Sequence, residues 1–104
     1  MSPAVMTTLS DVLKRLAVNG YTEHFSVIGN RLRALESGKA FGAQEVVIRQ
    51  YDRFEGISDP GDMSIVYAIE GPGGTRGTLV DAFGVYSNPV ISEFLHNVRI
   101  KRLA

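Results

Sequence analysis

Apolar residues recur at helical spacing at Leu9, Val12, Leu13, Leu16 and Ala17, which predicts an amphipathic helix from Leu9 to Asn19. Thr8 or Ser10 offers the capping oxygen for its first turn, where Asp11 meets the positive end of the helix, and Lys14 and Arg15 favour the other end. Gly20 suits the left-handed position that closes a helix. Met1 to Met6 carry no pattern and are expected to fray.

Aromatic and β-branched residues between Tyr21 and Ile28 predict a short strand, and Gly29-Asn30 marks a turn after it. Arg31 to Lys39 fits a helical turn through Leu32 and Leu35, or a strand through Leu32 and Ala34. The stretch from Gly29 to Ala43 therefore stays an undetermined connection.

Glu45 to Phe54 reads as a strand, followed by turn chemistry at Gly56 and Asp59-Pro60-Gly61-Asp62. From Met63 to Glu70 the pattern alternates, with Met63, Ile65, Tyr67 and Ile69 on one face and Ser64, Val66, Ala68 and Glu70 on the other. Gly71-Pro72-Gly73-Gly74 breaks the strand, so Gly77 to Tyr86 is expected to return antiparallel in a hairpin. Asn88 or Ser87 caps a second helix with Pro89 at its first position, and Val90, Ile91, Phe94, Leu95 and Val98 form its apolar stripe. These elements predict one α+β domain over residues 1–104: a two-layer fold with an antiparallel β-meander of three to four strands and both terminal helices on one face.

The composition narrows the function classes. The 104 residues carry no net charge, with 11 basic and 11 acidic side chains, so no broad positive field favours nucleic acid. There is no cysteine, which removes disulfides, thiolate catalysis and sulfur-ligated zinc. No segment approaches a membrane-spanning apolar run and no leader pattern opens the chain, so a cytoplasmic location is expected by elimination.

Tyr51-Asp52-Arg53-Phe54-Glu55-Gly56 and Leu79-Val80-Asp81-Ala82-Phe83-Gly84-Val85-Tyr86, with Asn19-Gly20-Tyr21 and Ser64-Ile65-Val66-Tyr67-Ala68-Ile69, cover much of the chain. On these stretches it resembles a family of small bacterial proteins of about this length, many of which carry the name phosphoribosylpyrophosphate synthetase. The resemblance brings no catalytic residue with it. The chemistry in that name needs sites for ATP, ribose phosphate and magnesium. The sequence has neither a G-x-x-x-x-G-K-[ST] loop nor an acidic pair followed by a Thr/Gly-rich turn, so that activity is not expected.

Asp81 is the first candidate for chemistry. If Glu70 faces Arg76 across the hairpin, Tyr67 faces Leu79 and Ile65 faces Asp81, which puts a carboxylate on the more apolar sheet face. A buried acid needs a partner, from Arg53, Tyr51 or a helix-capping N–H. The expected site is Arg53 and Asp81 at one sheet end with Glu55 and Tyr86 nearby, serving either to fix strand register or to hold a ligand.

Other features have plainer readings. The glycine-rich loop from Gly71 to Gly77 leads into a strand, so it reads as a hairpin turn instead of a phosphate cradle. Asp52, Glu55, Asp59 and Asp62 do not match a calcium loop, and His24 and His96 read as surface residues. No metal or other cofactor is expected. The opposite sheet face, with Val66, Ala68, Val80 and Ala82, is too apolar for water, which predicts a symmetric dimer through it or cover from the Gly29–Ala43 segment.

The leading expectation is a non-catalytic binding or regulatory module, possibly homodimeric. The alternative is a small enzyme or a nucleotide or sugar-phosphate binder using Arg53, Glu55, Asp81 and Tyr86. RNA binding through Arg31, Arg33, Lys39, Arg99, Lys101 and Arg102 is a third reading, disfavoured by the neutral charge and the absence of an aromatic recognition motif.

Overall fold

The computed structural model describes residues 9–54, 64–82 and 88–102. The first helix, α1 (Leu9–Val18), buries Val12 and Leu16. It ends as Gly20 turns to φ 96° and the N–H of Tyr21 donates to Leu16 O at 2.9 Å.

Seven strands follow, interrupted by one more helix: β1 (Glu23–Ile28), β2 (Arg31–Ala34), β3 (Ala40–Phe41), β4 (Val47–Phe54), β5 (Ser64–Glu70), β6 (Arg76–Ala82), α2 (Pro89–His96) and β7 (Arg99–Ile100). Gly29 and Asn30 both take positive φ, 57° and 63°, so a two-residue turn closes the β1–β2 hairpin with Ile28 opposite Arg31. The undetermined segment therefore contains two short strands joined by a turn, and in the first Leu32 and Ala34 point inward and alternate with exposed Arg31 and Arg33.

The strands form one mixed sheet in the order β3-β2-β1-β6-β5-β4-β7. Antiparallel pairing links β3, β2 and β1 on one side and β6, β5 and β4 on the other. The two sets meet at a short parallel seam, Glu23 opposite Gly77 and His24 opposite Thr78. A second parallel pairing seats β7 on β4, with Val47 opposite Arg99 and Ile48 opposite Ile100.

This corrects the expected two-layer meander of three to four strands: the chain is a seven-stranded mixed sheet curled into a half-barrel, with two short helices. Phe41 of one edge strand and Val98, just before the other, join the same buried cluster, together with Phe25, Ile48, Ile69 and Leu79. Only a curled sheet brings its two rims to one core.

The helices do not share a face. Phe94 of α2 fills the inner cluster, whereas Val12 and Leu16 of α1 pack with Tyr21, Val66 and Ala68. Ala68 and Ile69 are neighbours in β5 and belong to different clusters, as the two-residue period of a strand requires. The outer face was expected to be covered by a second copy of the chain or by the Gly29–Ala43 segment. Instead α1 covers Val66 and Ala68, leaving Val80 at 39% exposure and Ala82 half-buried. No helix among the described residues is long and apolar enough to cross a membrane.

Candidate site at the polar end of the inner face

The β5–β6 hairpin has the register that its alternation predicts: Glu70 opposite Arg76, Tyr67 opposite Leu79 and Ile65 opposite Asp81. Arg76 Nε donates to Glu70 Oε2 at 2.9 Å beside the Gly71–Gly74 turn, where Gly73 and Gly74 take φ of 70° and 76°. That loop is a hairpin turn. On the other side of β5, Tyr51 lies opposite Tyr67 and Arg53 opposite Ile65. Arg53 and Asp81 thus flank Ile65 on the same sheet face, the inner one.

The inner face is apolar along most of its length and polar at this end. Asp81 is only 9% exposed. The helix-capping N–H, one of its three candidate partners, meets it: the backbone N–H of Asn88 donates to Asp81 Oδ1 at 3.2 Å. Asn88 is also the N-cap of α2, its side chain accepting from the N–H of Val90 at 2.9 Å, with Pro89 opening the helix. One residue therefore ties the start of α2 to the end of β6. Ion pairs join His24 to Glu36 and Arg76 to Glu70.

Burial raises the Asp81 carboxyl above the ordinary aspartate value, and the N–H groups of Asn88 and Ala82 pull it partly back. The Tyr67 hydroxyl is raised first by burial and then by the negative charge of Asp81, while the positive charge of Arg53 opposes this. Tyr51 and Tyr67 stand with ring centroids 6.4 Å apart, and the guanidinium of Arg102 lies 4.9 Å from the Tyr51 ring centre. A half-buried pair of phenols, a buried carboxyl and two guanidinium groups therefore lie near one another at one end of the inner face. Such a set can accept and donate hydrogen bonds to one polar ligand.

Of the four residues expected to form the site, Arg53 and Asp81 come together on this face, and Glu55 and Tyr86 lie outside the described residues. Tyr67 is the member that sequence reasoning missed. Its place in the Ile65-Tyr67-Ile69 alternation put it on the face of Asp81, and that was the available signal.

The remaining candidates are dispersed. Asp52 points to the outer face and accepts from Gln50 Nε2 at 3.0 Å, whereas Glu55, Asp59 and Asp62 lie outside the described residues. His24 is bound to Glu36 at the surface, and His96 is exposed in the last turn of α2. Comparison with protein-family models, with curated proteins and with solved structures found no match.

Proposed function

We propose that this chain is a non-catalytic binding module of the cytoplasm that takes a small polar ligand at the polar end of its inner sheet face. Arg53, Tyr51, Tyr67 and Asp81 would make the hydrogen bonds. The observation that carries the reading is Asp81, a carboxyl buried on an apolar face, raised by burial and held by a helix cap next to a half-buried tyrosine. A buried titratable group with a shifted pKa, set beside other polar side chains, is a recurrent feature of functional sites.

Acid–base catalysis by Asp81 is the second reading, favoured by its raised pKa beside Tyr67. The described residues bring no nucleophile to that pair, which favours binding over turnover. Self-association belongs to the proposal only through Val80 and Ala82, the part of the outer apolar patch that α1 leaves accessible.

A thermal-shift screen of sugars, sugar phosphates, nucleotides and amino acids tests the site, with Tyr67→Phe and Asp81→Asn as controls. A ligand that raises the melting temperature of the parent chain and of neither variant supports it. A ligand that stabilises all three equally places the site elsewhere. Light scattering at micromolar concentration that finds only an 11.3 kDa species removes the self-association.

A further inference from the structure

A second cavity system lies on the outer face, away from Asp81. Between Ile48 and Gln50 the β4–β5 pairing slips by one residue, a bulge that leaves Arg49 without a partner across the ladder. Two cavities meet at Arg49. One, of about 420 Å³, is bounded by Asn19, Tyr21, Gln50, Glu70 and Arg76 together with it. The other, of about 520 Å³, is bounded by Val47, Arg49, Arg99, Ile100 and Lys101.

The charge in these cavities is uneven. Glu70 neutralises Arg76 in the first through the 2.9 Å bond. The second is lined by three basic residues and no acidic one. The Nε–H of Arg49 is buried and has no hydrogen-bond partner among the described residues. A buried guanidinium donor left unpaired is unfavourable, and because Arg49 lines this cavity, an anion bound there can pair with its guanidinium group. The backbone holds the other cations in place: β7 pairs with β4, and the N–H of Lys101 donates to Ile48 O at 2.9 Å.

We propose that the Arg49–Arg99–Lys101 cavity binds the phosphoryl group of a small organic phosphate. The planar guanidinium of Arg49 offers parallel N–H donors that match two phosphoryl oxygens, with Arg99 and Lys101 supplying further charge. A phosphomonoester carries a charge of about −2 at neutral pH, which matches this cation set better than the single charge of a carboxylate. Val47 and Ile100, the latter 57% exposed, give the organic part of the ligand an apolar wall. A small molecule fits better than a nucleic-acid strand. The cations converge on one cavity instead of tracking along a surface, and the chain as a whole has no net charge.

The test follows the arginine Nε–H signals by ¹H–¹⁵N NMR while inorganic pyrophosphate is added at constant ionic strength. The Arg49 Nε–H resonance should shift and saturate. Arg99→Gln with Lys101→Gln, both at exposed positions, should raise the half-saturating concentration about tenfold or more, as expected for loss of charge-assisted hydrogen bonds. Arg49→Gln, followed through the Arg99 Nε–H signal, should abolish saturation. Arg31→Gln, distant on β2, should change nothing. An Arg49 signal that does not move, or binding that the Arg99/Lys101 variant leaves unchanged, overturns the proposal. So does a single-stranded RNA that binds tightly with a dependence on Arg31 and Arg33, since that would make the basic residues a polymer surface. Citrate saturating Arg49 as well as pyrophosphate does would overturn the phosphoryl assignment.

Discussion

Gly77 lies directly against the backbone of Glu23: a Cβ on it would collide with the Glu23 carbonyl oxygen and stand 2.7 Å from Phe25 Cε2. This contact is the parallel seam itself, the two-rung join between the halves of the sheet. Gly77→Ala should therefore destabilise the chain by about 3 kcal/mol or more, as overpacking against rigid backbone does. Gly42→Ala is the control, because its Cβ would meet only the flexible end of Glu45, at 3.4 Å. It should stay within about 0.5 kcal/mol of the parent. Urea unfolding of both variants gives the comparison.

Burial raises the Asp81 carboxyl in the folded state, so folding favours its protonated form. In the window from the ordinary aspartate value up to the raised one, the native state holds more protons than the unfolded state, and stability falls as pH increases. Asp81→Asn keeps an oxygen to accept the Asn88 N–H and removes the charge. It should be at least as stable as the parent at pH 7 and should lack this downward step. Melting temperatures between pH 3 and 8 for the two proteins would show it, and a variant that loses stability at every pH would rule it out.

Glu36 shows the opposite sign. Its carboxylate accepts from the His24 side chain and from the His24 backbone N–H, at 2.8 Å for the latter, and these bonds lower its pKa. The stabilisation is present above the ordinary glutamate value and is lost as pH falls through the depressed one. Glu36→Gln should reduce this acid-side loss while leaving the step assigned to Asp81 in place. The two variants measured side by side separate the contributions.

Phe94 is 1% exposed and is the main anchor of a helix only eight residues long. A helix this short does not hold its shape without packing. Phe94→Ala should cost about 3–5 kcal/mol. Because α2 carries the Asn88 cap that binds Asp81, the near-ultraviolet dichroism of the tyrosines should change even where the variant remains folded.

Much of the local structure was legible in the sequence. Apolar spacing located α1, a strand-like run ended by turn residues located β4, alternation located β5, and Asn88-Pro89 gave both the cap and the first turn of α2. The Gly71–Gly74 break also fixed the register that places Asp81 opposite Ile65. What escaped was long-range. Nothing near Glu23 states that it will lie parallel to Gly77, because such a pairing has no connecting turn to mark it. Val98 was counted in the helix stripe, although the chain leaves the helix at Asn97 and carries Val98 into the same core.

The side of the sheet that each helix would cover was equally hidden. Amphipathic periodicity shows that a helix has an apolar stripe, not which layer receives it. Both sheet faces are apolar here, so two helices on opposite sides satisfy the pattern as well as two on one. Arg49 escaped for a related reason. A bulge shifts a side chain out of strict alternation, and alternation was the tool used to assign faces.

Each rim of the half-barrel ends in a strand of two residues, Ala40–Phe41 and Arg99–Ile100. A foreign strand docking at either rim would find few open backbone groups, and at one of them it would also meet Arg99 and Lys101. A protein built mainly of strands and without net charge would otherwise invite fibril growth, and its stunted borders starve such growth of a template.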